Sequence, residues 1–162
     1  MTTTVEPVEF RRSDVGPLLE SFRELRDSGS GWINLQPVPV DADEPEEVPR
    51  PGAGLLGWVG SVPVAPVCTW VPARQRRRRV EPATVGIQHG QRRRVLPLLR
   101  EQGLGLPTGA RLRGDHPRRG LVAELDPATA DRDVAVWLVE AGVALTTVAL
   151  RDEWVALVYR SV

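Results

Sequence analysis

Apolar residues recur at helical spacing over residues 14–28, where Leu18, Phe22 and Leu25 form one stripe. This predicts a helix that Asp14 can cap, with Pro17 in its first turn and Gly29 as its stop. Residues 1–12 read as a tail or a short edge strand, and Trp32–Val38 as a strand. Residues 37–66 change character. Pro37, Pro39, Pro45, Pro49, Pro51, Pro63 and Pro66 interrupt them, and Asp41–Glu47 is nearly all acid or proline, a loop composition. Within that loop Leu55, Leu56, Trp58 and Val59 can dock on the body. A strand over Val64–Val71 follows, and Pro66 argues for an edge or a bulge there.

The second half is more regular. Thr84–His89 predicts a strand. Arg93–Gln102 predicts a helix closed by Gly103, and Pro97 in the first turn sets its start near Arg93. Ala110–Gly114 and Gly120–Leu125 read as strands joined by an Asp115–Arg119 turn. Thr129–Ala141 reads as a helix with Val134, Trp137, Leu138 and Leu145 on one side and Gly142 as terminator. Trp154–Arg160 is the closing strand.

Strand, helix, strand, strand, helix, strand is the order of two split βαβ units, the ferredoxin-like pattern. The expected fold is therefore α+β and a single domain over residues 1–162. Residues 81–162 are expected to form a ferredoxin-like βαββαβ unit. Residues 1–80 supply a helix and two strands packed on it, joined by the Pro/acid-rich loop. Two details fit this pattern. Arg111 and Arg113 alternate with Ala110 and Leu112, which suits an edge strand that resists edge-to-edge pairing. The closing strand is apolar on both faces, so its second face needs a cover, and the half bearing Trp32, Trp58 and Trp70 is the expected one.

A chain of 162 residues is long enough for one real core. No apolar run reaches the length of a membrane span, the start MTTTVEPVEF lacks a signal pattern, and Cys68 is the only cysteine. Together these point to a cytoplasmic protein without membrane partners. Every basic residue is arginine, as codon bias in a GC-rich genome would give. That bias explains arginine over lysine but not where the arginines lie. The net charge is zero, yet residues 51–120 hold 13 arginines against 3 acids, while both flanking segments are acidic.

On the expected topology the turn after Thr84–His89 and the Asp115–Arg119 turn share one end of the sheet. That brings His89, Gly90, Arg92, Arg93, Arg94, His116, Arg118 and Arg119 together as a candidate anion-binding edge. Arginines crowding a helix start oppose the helix dipole, whereas backbone N–H groups there and the glycines Gly86 and Gly90 favour an anion. Two bland readings compete. The charges form a solvated face, or Asp41–Glu47 folds back on them. Arg76–Arg79 reads as a solvated loop between strands.

Arg118–Leu125 begins like the third-strand motif of the RNA-recognition fold, which it resembles only there. It carries no aromatic, and Thr84–His89 carries none either, so base stacking has no platform. Nucleic-acid binding through the backbone alone ranks below an acidic protein segment or a phosphorylated small molecule. As an enzyme the chain offers only His89, Asp115 and His116, at no metal spacing and beside cations that oppose a metal. Cys68 reads as a small buried hydrophobe, and no phosphate loop, dinucleotide fingerprint or nucleophile elbow occurs. The expectation is a non-catalytic binding or regulatory protein without a cofactor, for which a homodimer is allowed. The alternatives are a small enzyme acting on a phosphorylated substrate, with His89 or His116 moving a proton, and a sequence-independent nucleic-acid binder.

Overall fold

The structure, a computed structural model, describes residues 2–40 and 65–161. The acidic stretch Asp41–Glu47 and the positions Leu55, Leu56, Trp58 and Val59 lie outside the described residues. In chain order the elements are β1 (Thr3–Arg11), α1 (Gly16–Ser28), β2 (Trp32–Pro39), β3 (Val67–Val71), β4 (Arg74–Arg76) and β5 (Arg79–Glu81). These are followed by β6 (Thr84–Gln88), α2 (Leu96–Glu101), β7 (Arg111–His116), β8 (Gly120–Glu124), α3 (Asp131–Ala144) and β9 (Leu150–Ser161).

Seven strands form one sheet in the order β1-β9-β2-β3-β6-β8-β7, every neighbouring pair antiparallel. The protein is thus mixed α+β, with a large antiparallel sheet and three helices among the described residues. The expected ferredoxin-like unit needs β9 beside β6. Instead β2 and β3 stand between them, and only the β6-β8-β7 part of that order is present. The reason lies in β9. It is long enough to pair with β1 along nine positions, from Thr3↔Ser161 to Arg11↔Glu153, and with β2 on its other side. The N-terminal strands therefore flank β9 in its own sheet rather than cover its second face. On that face Trp32 stacks on Tyr159, with ring centroids 4.5 Å apart.

The helices cover the other face. α1 lies against β1 and β9, α3 lies against β2, β3 and β6, and the two helices touch. Strand alternation sends Phe10, Trp154, Leu35, Cys68, Trp70, Val85, Ile87 and Leu121 to this side, where all are buried. Phe22 of α1 stacks flat on Trp70 at 4.0 Å, as its place in the Leu18–Phe22–Leu25 stripe requires. Buried aromatic pairs of this kind add about 0.5–1.5 kcal/mol beyond the area they bury.

Several local expectations change, among them the edge position read from Pro66, since β3 lies between β2 and β6. Asp14 does not occupy the cap position of α1. It stands one residue earlier and accepts from the Gly16 N–H at 3.0 Å. Gly142 does not end α3, which runs on to Ala144. A side chain at 142 would meet Trp154 and Cys68, so glycine is there for packing rather than for a turn. Residues 76–79 are not a plain loop: β4 and β5 form a separate two-stranded ribbon with Arg77 and Arg78 at its turn. No helix among the described residues is long and apolar enough to cross a membrane.

Candidate functional site

Pairing directions place the ends of β6 and β7 and the start of β8 at one end of the sheet, since Ile87 faces Leu121 and His116 faces Gly120. The two arginine-bearing turns meet here. Gly120, at φ 90°, has its Cα against the Ile87 carbonyl, and a methyl group there would overlap that oxygen. Only glycine permits both this φ and this approach.

Asp115 ties the turns together. Its Oδ1 accepts from the Val95 N–H and its Oδ2 from the Leu96 N–H, each at 2.9 Å. The helix consequently begins at Leu96, with Pro97 in its first turn, and not at Arg93. Its leading N–H groups are already met by the chain's own carboxylate. Arg92, Arg93 and Arg94 precede the helix as an exposed bend, with Arg92 in the left-handed region at φ 54°. Any anion received here is therefore met by guanidinium groups and not by the start of α2.

The two histidines part company. His116 is exposed, and its Nδ1 accepts from the backbone N–H groups of Arg118 (3.1 Å) and Arg119 (3.2 Å), which folds the tight turn. His89 is only 4% exposed and continues the buried Val85–Ile87 side of β6. Its Nδ1 accepts from the Gln91 N–H at 3.3 Å, and its Nε2 is buried without a partner. Burial lowers the His89 pKa below the usual imidazole value, and the nearby Asp115 charge opposes that shift. The ring is thus favoured neutral, with Nδ1 unprotonated. Gln91 anchors the same turn by donating from Nε2 to the Leu145 carbonyl at 2.9 Å.

Arg92, Arg93, Arg94, Arg118 and Arg119 are all exposed, and none has an ion-pair partner among the described residues. Some arginines elsewhere are paired, while others, such as Arg23, Arg100 and Arg132, also have no ion-pair partner among the described residues. Arg12 meets Glu140 at 2.6 Å, Arg26 meets Asp131, Arg111 and Arg113 share Glu124, and Arg160 bridges Glu6 and Glu24. Glu124 is held below the usual carboxylate range, first by the hydrogen bond from Arg113. Gly90 sits in the bend between His89 and Arg92. Val40 and Ala65, which flank the undescribed segment, also lie at this end, since Pro39 ends β2 and Val67 faces Gln88.

Cys68 is fully buried against α3, with its Sγ 3.4 Å from the Leu138 carbonyl, and burial pushes its pKa up to about 12. Among the described residues no group of three or more His, Cys, Asp or Glu side chains gathers as a metal would need. The ribbon β4–β5 lies at the opposite end of β3 and β6 from the arginine turns, because it joins Val71 to Thr84. Five strand residues separate the two ends, roughly 17 Å at the rise of a β-strand. The arginines of residues 76–79 and those of residues 92–94 and 118–119 thus form two separate cationic regions. No family model, no curated protein and no solved structure matches the chain.

Proposed function

We propose that the chain is a non-catalytic binding or regulatory protein whose arginine edge receives an acidic protein segment or a phosphorylated ligand. The reading rests on five exposed guanidinium groups on two turns joined by Asp115, with no carboxylate partner among the described residues. Guanidinium groups suit this task because they meet carboxylates and phosphates with paired donors in fixed geometry. A triple Arg92→Gln, Arg93→Gln, Arg94→Gln variant tests it by calorimetric titration with pyrophosphate and with a poly-glutamate peptide. Binding is expected to be lost with the fold retained. Survival of binding to every anion tested places the site elsewhere.

One observation favours a second reading, in which the chain's own acids compete for the edge. Asp41–Glu47 follows directly on Val40, which lies at the same end of the sheet as the arginine turns. Replacing its five acids by Asn and Gln is then expected to strengthen anion binding several-fold. A small enzyme acting on a phosphorylated substrate is less well supported. His89 is buried, and His116 Nδ1 is engaged by two backbone N–H groups.

A further inference from the structure

We propose that the β4–β5 ribbon is a DNA-binding arm, which meets the phosphates of a duplex through the arginines at its tip. The ribbon pairs Arg74 with Glu81, Gln75 with Val80 and Arg76 with Arg79, and Arg77 and Arg78 form the turn. Its base is fixed to the body where Arg74 Nη2 donates to the Gly31 carbonyl at 2.7 Å. Residues 75–81 are all exposed.

Three features of the tip are unfavourable for folding alone. Arg76 and Arg79 stand directly opposite one another, a like-charge pair that weakens a ribbon. Arg77 sits at φ 48°, where a two-residue hairpin normally places glycine. Among the described residues the only carboxylate at these charges is Glu81, 3.4 Å from Arg76 Nε. Codon bias accounts for arginine in place of lysine, but not for arginine in place of glycine or asparagine at such a turn. A polyanion that neutralises the tip removes the like-charge cost.

The chemistry favours duplex DNA over a protein partner. A two-stranded ribbon has the width that the major groove of B-form DNA admits. Protein interfaces centre on buried aromatic or large apolar anchors, and the ribbon's only large apolar side chain is Val80, 61% exposed. The ribbon has no aromatic to stack on single-stranded bases, so contact falls on the phosphates and carries no sequence preference. The reading is independent of the arginine edge, which lies at the other end of the sheet.

The test is fluorescence anisotropy with a labelled 20-base-pair duplex over a salt series. Wild type is compared with an Arg77→Gly/Arg78→Asn variant and with the triple Gln variant of the edge. Wild type is expected to bind with log K falling linearly against log salt. The ribbon variant should lose affinity at least about five-fold and about two units of that slope, since each phosphate contact contributes roughly one. Its urea midpoint should stay level or rise, because the turn gains the residues it prefers. The edge variant should keep most of the slope. Three results each overturn the proposal: no duplex binding by wild type, a ribbon variant that binds as wild type does, or, in the triple Gln variant of the edge, tighter binding to poly-glutamate than to the duplex. An Arg77→Gln/Arg78→Gln variant, which leaves the turn's backbone demands unchanged, must show the same loss of slope, or the proposal fails.

Discussion

Gly142 and Trp154 are packed so closely that a methyl group on Gly142 would come within 2.8 Å of Cη2 of the indole. Two effects oppose each other when that methyl is added. Alanine is favoured over glycine inside a helix by about 1 kcal/mol. Overpacking a filled core costs about 1–3 kcal/mol, and here the neighbour is a fully buried ring rather than the end of a flexible chain. The same methyl group would lie 3.3 Å from Cys68 Sγ, a second close contact. Gly142→Ala is therefore expected to lower stability by up to about 2 kcal/mol net, read as a lower urea midpoint at unchanged slope. A gain in stability would contradict the packing described.

Asp115 is expected to be a structural residue despite its place among arginines. Asp115→Ala removes the acceptor for the Val95 and Leu96 N–H groups. The cost is expected at about 1–2 kcal/mol, as for the loss of a helix cap. Amide exchange at Val95 and Leu96 should accelerate more than exchange in α3. If anion affinity at the edge rises in the same variant, the cause is the removed negative charge and not a new contact.

The protonation of His89 should be visible in stability against pH. Its folded-state pKa is lowered, chiefly by burial, so the unfolded chain holds the extra proton more readily than the native protein. The stabilising contribution is present above the unfolded imidazole pKa of about 6.5 and is lost as pH falls from there toward the folded value. Glu124 and Glu140, lowered by their arginine partners, lose their contributions only below the ordinary carboxylate range. A decline in the urea midpoint between pH 6.5 and the carboxylate range is thus assigned to His89. His89→Gln is expected to flatten that part of the curve and leave the acid limb in place.

Cys68 should be inert in the native protein. It is fully buried, and its thiol is pushed up to about 12, so almost no thiolate exists at neutral pH. Ellman's reagent is expected to label it stoichiometrically in urea. In buffer it should do so only at the rate at which the sheet opens. Rapid labelling of folded protein would show that α3 does not seal β3.

Much of the local structure was legible in the sequence. The stripe of α1, the alternation of β6 and β8 and the glycine after α2 each signal through neighbours a few residues apart. Strand order does not. The alternation in β9 tells which side chains share a face but not which strands lie beside it, and pairing with both β1 and β2 is a long-range choice. Gly142 misled for a related reason. Glycine usually marks a helix end, and only the position of Trp154 reveals that here it marks a close approach. The meeting of the arginine turns follows from the relative directions of β6, β7 and β8. The role of Asp115 in joining them was not legible, because its partners lie some twenty residues away. The ribbon was hidden by composition, since four consecutive arginines look like solvated chain whether or not they pair.

The position of β9 between β1 and β2 also governs how the chain can be assembled during synthesis. Both neighbours leave the ribosome long before residues 150–161 exist, and neither pairs directly with the other. Until β9 arrives, β2 offers an open edge and β1 has no partner in the sheet. The interval is one in which a nascent chain is open to mispairing. Closure of this half of the sheet thus waits on a strand made long after both of its neighbours.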